Sequence, residues 1–275
     1  MYSNVVVGVD GQQGGEDAAA LAGALASDGA SIVLVTVTPS DHATGRQFDL
    51  AAEGCLPALF WAERCLCGGS AQPVGIAASS TGAGLESVAR QRRAGLIVVG
   101  ASRRHGIVRG LAGDDVRSLE PETPCAVAVA PAGYAHHRAP IARIGVAYNG
   151  SPESEAALAQ AGRLAGELSA QLQVCQVAGA RGSPPRATGL HFEQLDGPVT
   201  DELVACGGRV DLLVCGSRHG GPLRQIAFGR ISDHLARHLG VPLIVAPTID
   251  TTSIELWQRA SIGRLFNGRF HECLA

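Results

Sequence analysis

A chain of 275 residues with 46% hydrophobic content carries enough apolar side chain for a sizeable core, and its length suits two domains of ordinary size. Its formal charge of -3, from 22 basic and 25 acidic residues, supplies no field able to hold DNA, RNA or an anionic membrane, so nucleic-acid and membrane partners are set aside. Every one of the 22 basic residues is arginine, which also excludes phosphoryl chemistry that depends on a lysine.

Apolar stretches are broken every few residues by Gly, Ser or charge, short of what a bilayer requires. The opening segment MYSNVVVGVDG lacks the basic segment, apolar stretch and cleavage site of a secretory signal, so a cytoplasmic location is expected. Eight cysteines in a chain of this length do not make a disulfide framework, and none stands in C-x-x-C. Cys125, Cys175 and Cys215 lie inside apolar strand-like runs and read as small core residues. Cys65 and Cys67 are too closely spaced for a zinc knuckle, so no metal is expected.

In chain order, VVVGVDG (Val5 to Gly11) reads as a strand ending in a turn, followed by an acidic, alanine-rich helical pattern. SIVLVTV (Ser31 to Val37) is the next strand. Phe48 to Leu66 is helix-like, with a kink or break expected at Pro57. GLESVARQRRAGLIVVG (Gly84 to Gly100) reads as helix, turn and strand, and CAVAVAP closes this half at Pro131. The segment AGYAHHRAPIAR is short, polar and proline-bearing, a linker of limited reach that keeps the halves side by side.

The same order then repeats: IGVAYNG (Ile144 to Gly150), QLQVCQV (Gln171 to Val177), TDELVACGGRVDLLVCG (Thr200 to Gly216), a helical ISDHLARHLG and VPLIVAP ending at Pro247. Strands alternating with helical patterns predict mostly parallel sheets with helices on both faces. Asp10 and Asn149 are 139 positions apart whereas Gly100 and Gly216 are 116 apart, so the second half has lost 23 residues. The loss falls in the second crossover, where the Gly/Pro-rich GARGSPPRATG replaces a helix. One sheet face there is expected to be open, to be covered by a partner surface or the tail. Residues 249–275 have no counterpart in the first half; they read as a loosely docked or disordered end, with a short amphipathic helix through Trp257 and Phe266 as the alternative.

These segments carry a resemblance. VVVGVDG with Asp10, the Gly-rich stretch after the fourth strand and PETPCAVAVAPAGYA resemble the universal stress protein family, and the chain as a whole resembles its tandem members. The resemblance implies an α/β fold of two tandem open parallel five-stranded sheets of order 3-2-1-4-5, Rossmann-like and similar to adenine nucleotide α hydrolases. It implies one domain over residues 1–135 and another over 141–248, pairing along their last strands within the chain, and it admits a homodimer. Some members bind ATP through G-x2-G-x9-G-[ST] and an aspartate ending strand one that contacts adenine. Bare glycine backbone lets amides approach phosphate oxygens, and the hydroxyl at the helix start adds a donor.

Both copies keep the outer glycines, Gly100 with Gly113 and Gly216 with Gly229. In the first, Arg103 replaces the middle glycine and Asp114 the hydroxyl residue, although Asp10 is intact and Gly106 offers other flexibility. A carboxylate at position 114 caps the helix itself and repels a triphosphate, so a nucleotide-free loop is expected. In the second, His219 takes the middle position, Arg230 the hydroxyl position and Asn149 the place of the aspartate. That loop reads either as solvated surface or as an anion site attracted to its arginines. If nucleotide binds, the base is expected at the first half and phosphates at the second.

No nucleophile elbow, P-loop lysine motif or dinucleotide fingerprint is present, so no catalytic residue is assigned. His234 and His238 lie four apart on a helix without a third ligand and read as surface residues. The expectation is a non-enzymatic, stress-response binding or scaffold protein with degenerate nucleotide loops; ATP is the one cofactor in view. The alternative is an adenine-nucleotide-binding regulatory module with one working half. A slow ATP hydrolase finds no general base or metal-holding carboxylates to support it.

Overall fold

A computed structural model describes residues 1–40, 46–47, 56–66, 71–101, 125–177, 191–217 and 230–247. The strands are β1 (Tyr2–Gly8), β2 (Ala26–Pro39), β3 (Arg46–Gln47), β4 (Ala71–Ala78), β5 (Leu96–Gly100), β6 (Ala126–Ala130), β7 (Arg143–Tyr148), β8 (Gln171–Val177), β9 (His191–Leu195), β10 (Leu212–Gly216) and β11 (Leu243–Ala246). The helices are α1 (Gln13–Leu25), α2 (Leu56–Arg64), α3 (Thr81–Arg92), α4 (Pro152–Leu168), α5 (Val199–Gly207) and α6 (Arg230–His238).

The strands form one sheet in the order β3-β4-β2-β1-β5-β6-β11-β10-β7-β8-β9. Within each half, setting aside the two-residue β3, that is the 3-2-1-4-5 order. The two five-stranded arrays join along their last strands: β6 and β11, each the last strand of its half, pair antiparallel with Val127, Ala128 and Val129 opposite Val245, Ile244 and Leu243. Two exposed apolar edges are thereby removed at once, each satisfying the other's free backbone groups. All other long pairings are parallel.

Parallel strands covered on both faces read as unbroken apolar runs, which is why LIVVG and AVAVA are buried at every position. Alternate residues divide between two cores. Val5, Val7, Ile144, Val146, Val214 and Ile244 face α1, α2 and α4. Val6, Val33, Val99, Val127, Leu213 and Val245 face α3, α5 and α6. The described part of the expected Phe48–Leu66 helix is α2, with Pro57 in its first turn, a place that suits a residue without an amide hydrogen; residues 48–55 lie outside the described residues. Pro73 stands within β4, whose outer side carries only the two residues of β3. The second crossover (178–190) and the tail (248–275) lie outside the described residues. Phe192 on β9 is exposed, on the alternate set opposite the buried Leu195.

The segment between the halves is not a free linker. Residues 132–137 form a turn, and Tyr134 and Ile141 are buried in the first core. Asp17, a buried acid in the alanine-rich α1, holds this turn: its carboxylate accepts from the amides of Gly133 and Ala135, both at 2.8 Å. Two charge-assisted bonds offset the cost of burying the carboxylate. Further ties cross the junction, from Gln160 of α4 to the Tyr2 hydroxyl and from the Met1 amine to Glu167. Replacing Asp17 by Ala is expected to leave both amides unpaired and to cost about 1–3 kcal/mol in urea unfolding. Hydrogen exchange should quicken first at Gly133 and Ala135, and unchanged exchange there would show that the carboxylate does not hold the turn.

Candidate functional site

In an open parallel sheet, ligands gather where neighbouring strands send their connections to opposite faces, at the carboxyl ends. Here those points lie between β1 and β5 and between β7 and β10, which are adjacent pairs in the sheet. Asp10 and Gly100 meet at the first point, Asn149 and Gly216 at the second. Because β6 and β11 run antiparallel, the two points face opposite ends of the sheet. The expected preference, base at the first half and phosphates at the second, concerns loop residues that lie largely outside the described residues.

Asp10 is exposed and its Oδ1 accepts from the amide of Gln12 at 3.0 Å. Asn149 is also exposed and its Oδ1 accepts from the amide of Ser151 at 3.0 Å. Between each pair stands a glycine in the left-handed region, Gly11 at φ 74° and Gly150 at φ 77°. Both residues thus perform one local task, closing a turn with a side-chain oxygen, for which acid and amide serve equally. The aspartate's charge is not needed for it.

Gly100 and Gly216 also have a packing reason to be glycine. A methyl group on Gly100 would lie 2.1 Å from the carbonyl oxygen of Gly14, and one on Gly216 would lie 2.4 Å from that of Glu153. Each strand end abuts the first turn of the helix that follows strand one of its half. The helix starts differ. At α4, Ser151 Oγ accepts from the Ser154 amide, Pro152 occupies the first turn, and Glu153 and Glu155 add negative charge, an arrangement that leaves little for an anion. At α1, Gln12 makes no side-chain cap and the first turn contains Gly14 and Gly15.

Beside Asn149, the buried Tyr148 hydroxyl bonds Glu155, tying the end of β7 to α4. Burial, and then that carboxylate, push the phenol's pKa well up. The first half has Val9 in the corresponding place, buried against Gly15. Sequence reading missed this pair because a tyrosine before an asparagine carries no motif; only the seven-residue spacing onto the next helix could have raised it. Ser217, directly after Gly216, is fully buried and its hydroxyl has no partner among the described residues, while its amide bonds the Ala246 carbonyl at 3.0 Å. Arg230 starts α6. Arg103, Gly106, Gly113, Asp114, His219 and Gly229 lie outside the described residues.

Groups able to do covalent chemistry are sparse among the described residues. Cys125 and Cys215 are buried and their thiols are pushed up to about 12, chiefly by desolvation. Such thiols are not ionised near neutrality and are poor nucleophiles. His234 and His238 stack with ring centroids 4.1 Å apart, and His238 Nδ1 lies 2.8 Å from the His234 carbonyl. Cys175 departs from the expected lone core thiol: it is bonded to Cys206 of α5. No helix among the described residues is long and apolar enough to cross a membrane.

Residues 1–131 match the sequence profile of Usp, the Universal stress protein family. Over these residues the chain is similar to a universal stress protein domain. Over both halves the fold is similar to that of a universal stress protein from Archaeoglobus fulgidus, with a TM-score of 0.65 at 14% identity, covering 90% of this chain and 97% of that one. A functionally unknown protein from Pseudomonas aeruginosa PAO1 is similar at TM-score 0.56 and 17% identity, covering 94% and 97%. The cytoplasmic domain of a prokaryotic cation chloride cotransporter shares the fold at TM-score 0.51 and 10% identity, covering 93% and 100%. No curated protein matches the sequence. A fold shared with a transporter domain does not by itself select a function.

If close packing explains the two glycines, Gly100→Ala and Gly216→Ala should each cost about 1–3 kcal/mol. Gly166→Ala, on the exposed face of α4 where an added methyl meets nothing within 4 Å, should gain about 0.5–1 kcal/mol. Equal effects at all three in urea unfolding would rule the packing account out.

The buried acids predict an alkaline limit. Cys125 and Cys215 keep their protons up to about pH 12, as does Tyr2, raised from 10.0 to about 12 mainly by desolvation, whereas the unfolded chain releases its thiol protons from about pH 9. Over that window the folded state binds more protons, so stability is full below pH 9 and declines towards pH 12. The slope is about 1.4 kcal/mol per pH unit for each group fully ionised in the unfolded chain. Urea midpoints at pH 8, 9, 10 and 11 check this; a flat profile contradicts it.

Proposed function

We propose that the chain is a tandem universal stress protein whose second half, residues 141–248, is a diverged copy of the first, and that it works as a cytoplasmic, non-catalytic binding or scaffold protein. One observation carries this reading. At both switch points the surviving residues of a nucleotide pocket are occupied by structural tasks: Asp10 and Asn149 close equivalent turns, and Gly100 and Gly216 seat the next helix. Retention of these residues therefore needs no nucleotide to explain it.

A second reading has support at the first half alone. There the start of α1 lacks a side-chain cap, Asp10 is exposed, and only its Oδ1 is engaged. A nucleotide held at that point would make the protein an ATP-responsive regulatory module. The readings separate in a thermal-shift titration with ATP and magnesium. The scaffold reading expects no saturable rise at millimolar ligand. A midpoint that climbs with ATP and stops climbing in Asp10→Ala would transfer the conclusion to the regulatory module.

A further inference from the structure

Cys175 on β8 and Cys206 in the last turn of α5 are both fully buried and joined by a disulfide across 31 residues of sequence. Comparison of the halves separates packing from chemistry. The sheet register places Cys175 beside Ala147 and Val35 beside Gly8, equivalent positions in the two halves. On the helices, the buried spacing Leu203, Cys206, Gly207 repeats Leu85, Val88, Ala89. The first half has Val35 at the matching strand position and Val88 on the buried face of α3, both in the same core. Apolar residues suffice to pack α3 on the sheet, so a cysteine pair that joins β8 to α5 supplies something packing does not require.

The surroundings decide against a metal. The sulfur atoms and the Glu193 carboxylate lie within 4.8 Å of one another, a spacing that suits a cation. Yet Glu193 accepts from Gln173 through one oxygen and from Arg209 through the other, and Arg209 is half exposed. The carboxylate is neutralised and the sulfurs are spent on each other. What remains is a buried disulfide under a polar cover, where α5 ends at the Gly207-Gly208 pair. The bond also closes a stretch of sequence that contains the Gly/Pro-rich GARGSPPRATG. Cross-linking such a stretch removes loop entropy from the unfolded chain.

We propose that Cys175–Cys206 is a reversible redox clasp that fastens α5 to the sheet and makes the stability of the second half depend on the thiol–disulfide balance around it. The reductant is a dithiol. Its thiolate attacks one sulfur and forms a mixed disulfide, releasing the other cysteine as a thiolate that takes a proton; its second thiol then attacks the mixed bond and freees the first cysteine. Two electrons and two protons pass to the protein, and the dithiol leaves as its own disulfide. The reverse step uses a low-molecular-weight disulfide as oxidant. Attack requires α5 to lift, since neither sulfur is exposed.

The test uses the full chain equilibrated in dithiothreitol buffers of graded potential, followed by alkylation, peptide mass spectrometry and thermal unfolding. Cys175 and Cys206 are expected to become alkylated together, with the unfolding midpoint falling on the order of 10 °C on reduction. Amide exchange should rise in Leu203–Gly207 of α5 and stay unchanged in the equivalent turn of α3. The variant C175V/C206V, which copies the first half's valines, should fold and lose all redox dependence of its midpoint. The proposal is overturned by independent alkylation of the two cysteines, by a midpoint indifferent to reduction, or by reduction that occurs only after global unfolding.

Discussion

The antiparallel seam between β6 and β11 is the constraint on which the rest of the molecule depends. Three residue pairs, Val127 to Val129 with Val245 to Leu243, convert the last strand of each half from an edge into an interior strand, and all six residues are buried. An unpaired edge of this composition would be an aggregation site, so each half needs the other for solubility as much as for stability. The seam also fixes which helices share a face. Because the sheet continues through it, α1 and α4 lie over one core and α3, α5 and α6 over the other, and neither core belongs to one half alone. The Asp17 carboxylate, holding the turn that leads from β6 towards β7, sets the direction in which the chain leaves the seam.

From the same seam follows the separation of the two switch points. Reversing strand direction across β6 and β11 sends the carboxyl ends of the halves to opposite sides, so the two points face away from each other. The second helix start, at Ser151-Pro152-Glu153, has a side-chain cap and two acids in its first turn, Glu153 and Glu155, whereas the first, at Gln12 to Gly15, has no side-chain cap and one acid, Glu16. The pairing of Tyr148 with Glu155 belongs to the same consolidation: where the first half leaves a valine against a glycine, the second has tied strand to helix through a buried hydroxyl.

Much of the fold was legible because its signals are local and repeated. Runs such as VVVG and LIVV, alternating with alanine-rich helical stretches and recurring after the midpoint, give strands, helices and duplication together. Strand order came from the family resemblance and not from spacing. What stayed hidden depends on residues far apart in sequence. Nothing local marks Asp17 within the acidic, alanine-rich pattern, since its partners at Gly133 and Ala135 lie more than a hundred positions away. Cys175 looked like a small core residue, because a partner 31 residues on leaves no local pattern. Of the candidate site, Gly100 and Gly216 end strands, Asp10 and Asn149 lie in the turns just after β1 and β7, and Arg230 opens α6; the motif positions of the first four could be read while their structural tasks could not.

Those tasks bear on how a motif remnant is interpreted. A glycine kept at the end of strand four is usually credited to phosphate, yet at Gly100 and Gly216 the nearest atoms to an added methyl are main-chain atoms of the neighbouring helix, or its Cβ, and those atoms are there whether or not a ligand is. The same holds for a turn that needs a side-chain oxygen and accepts it from Asp10 or Asn149 alike. Packing alone therefore gives these four positions a reason to keep their residue types, with or without a ligand. The departures from the family pattern fall elsewhere, at Arg103 and Asp114 in one copy and at His219 and Arg230 in the other.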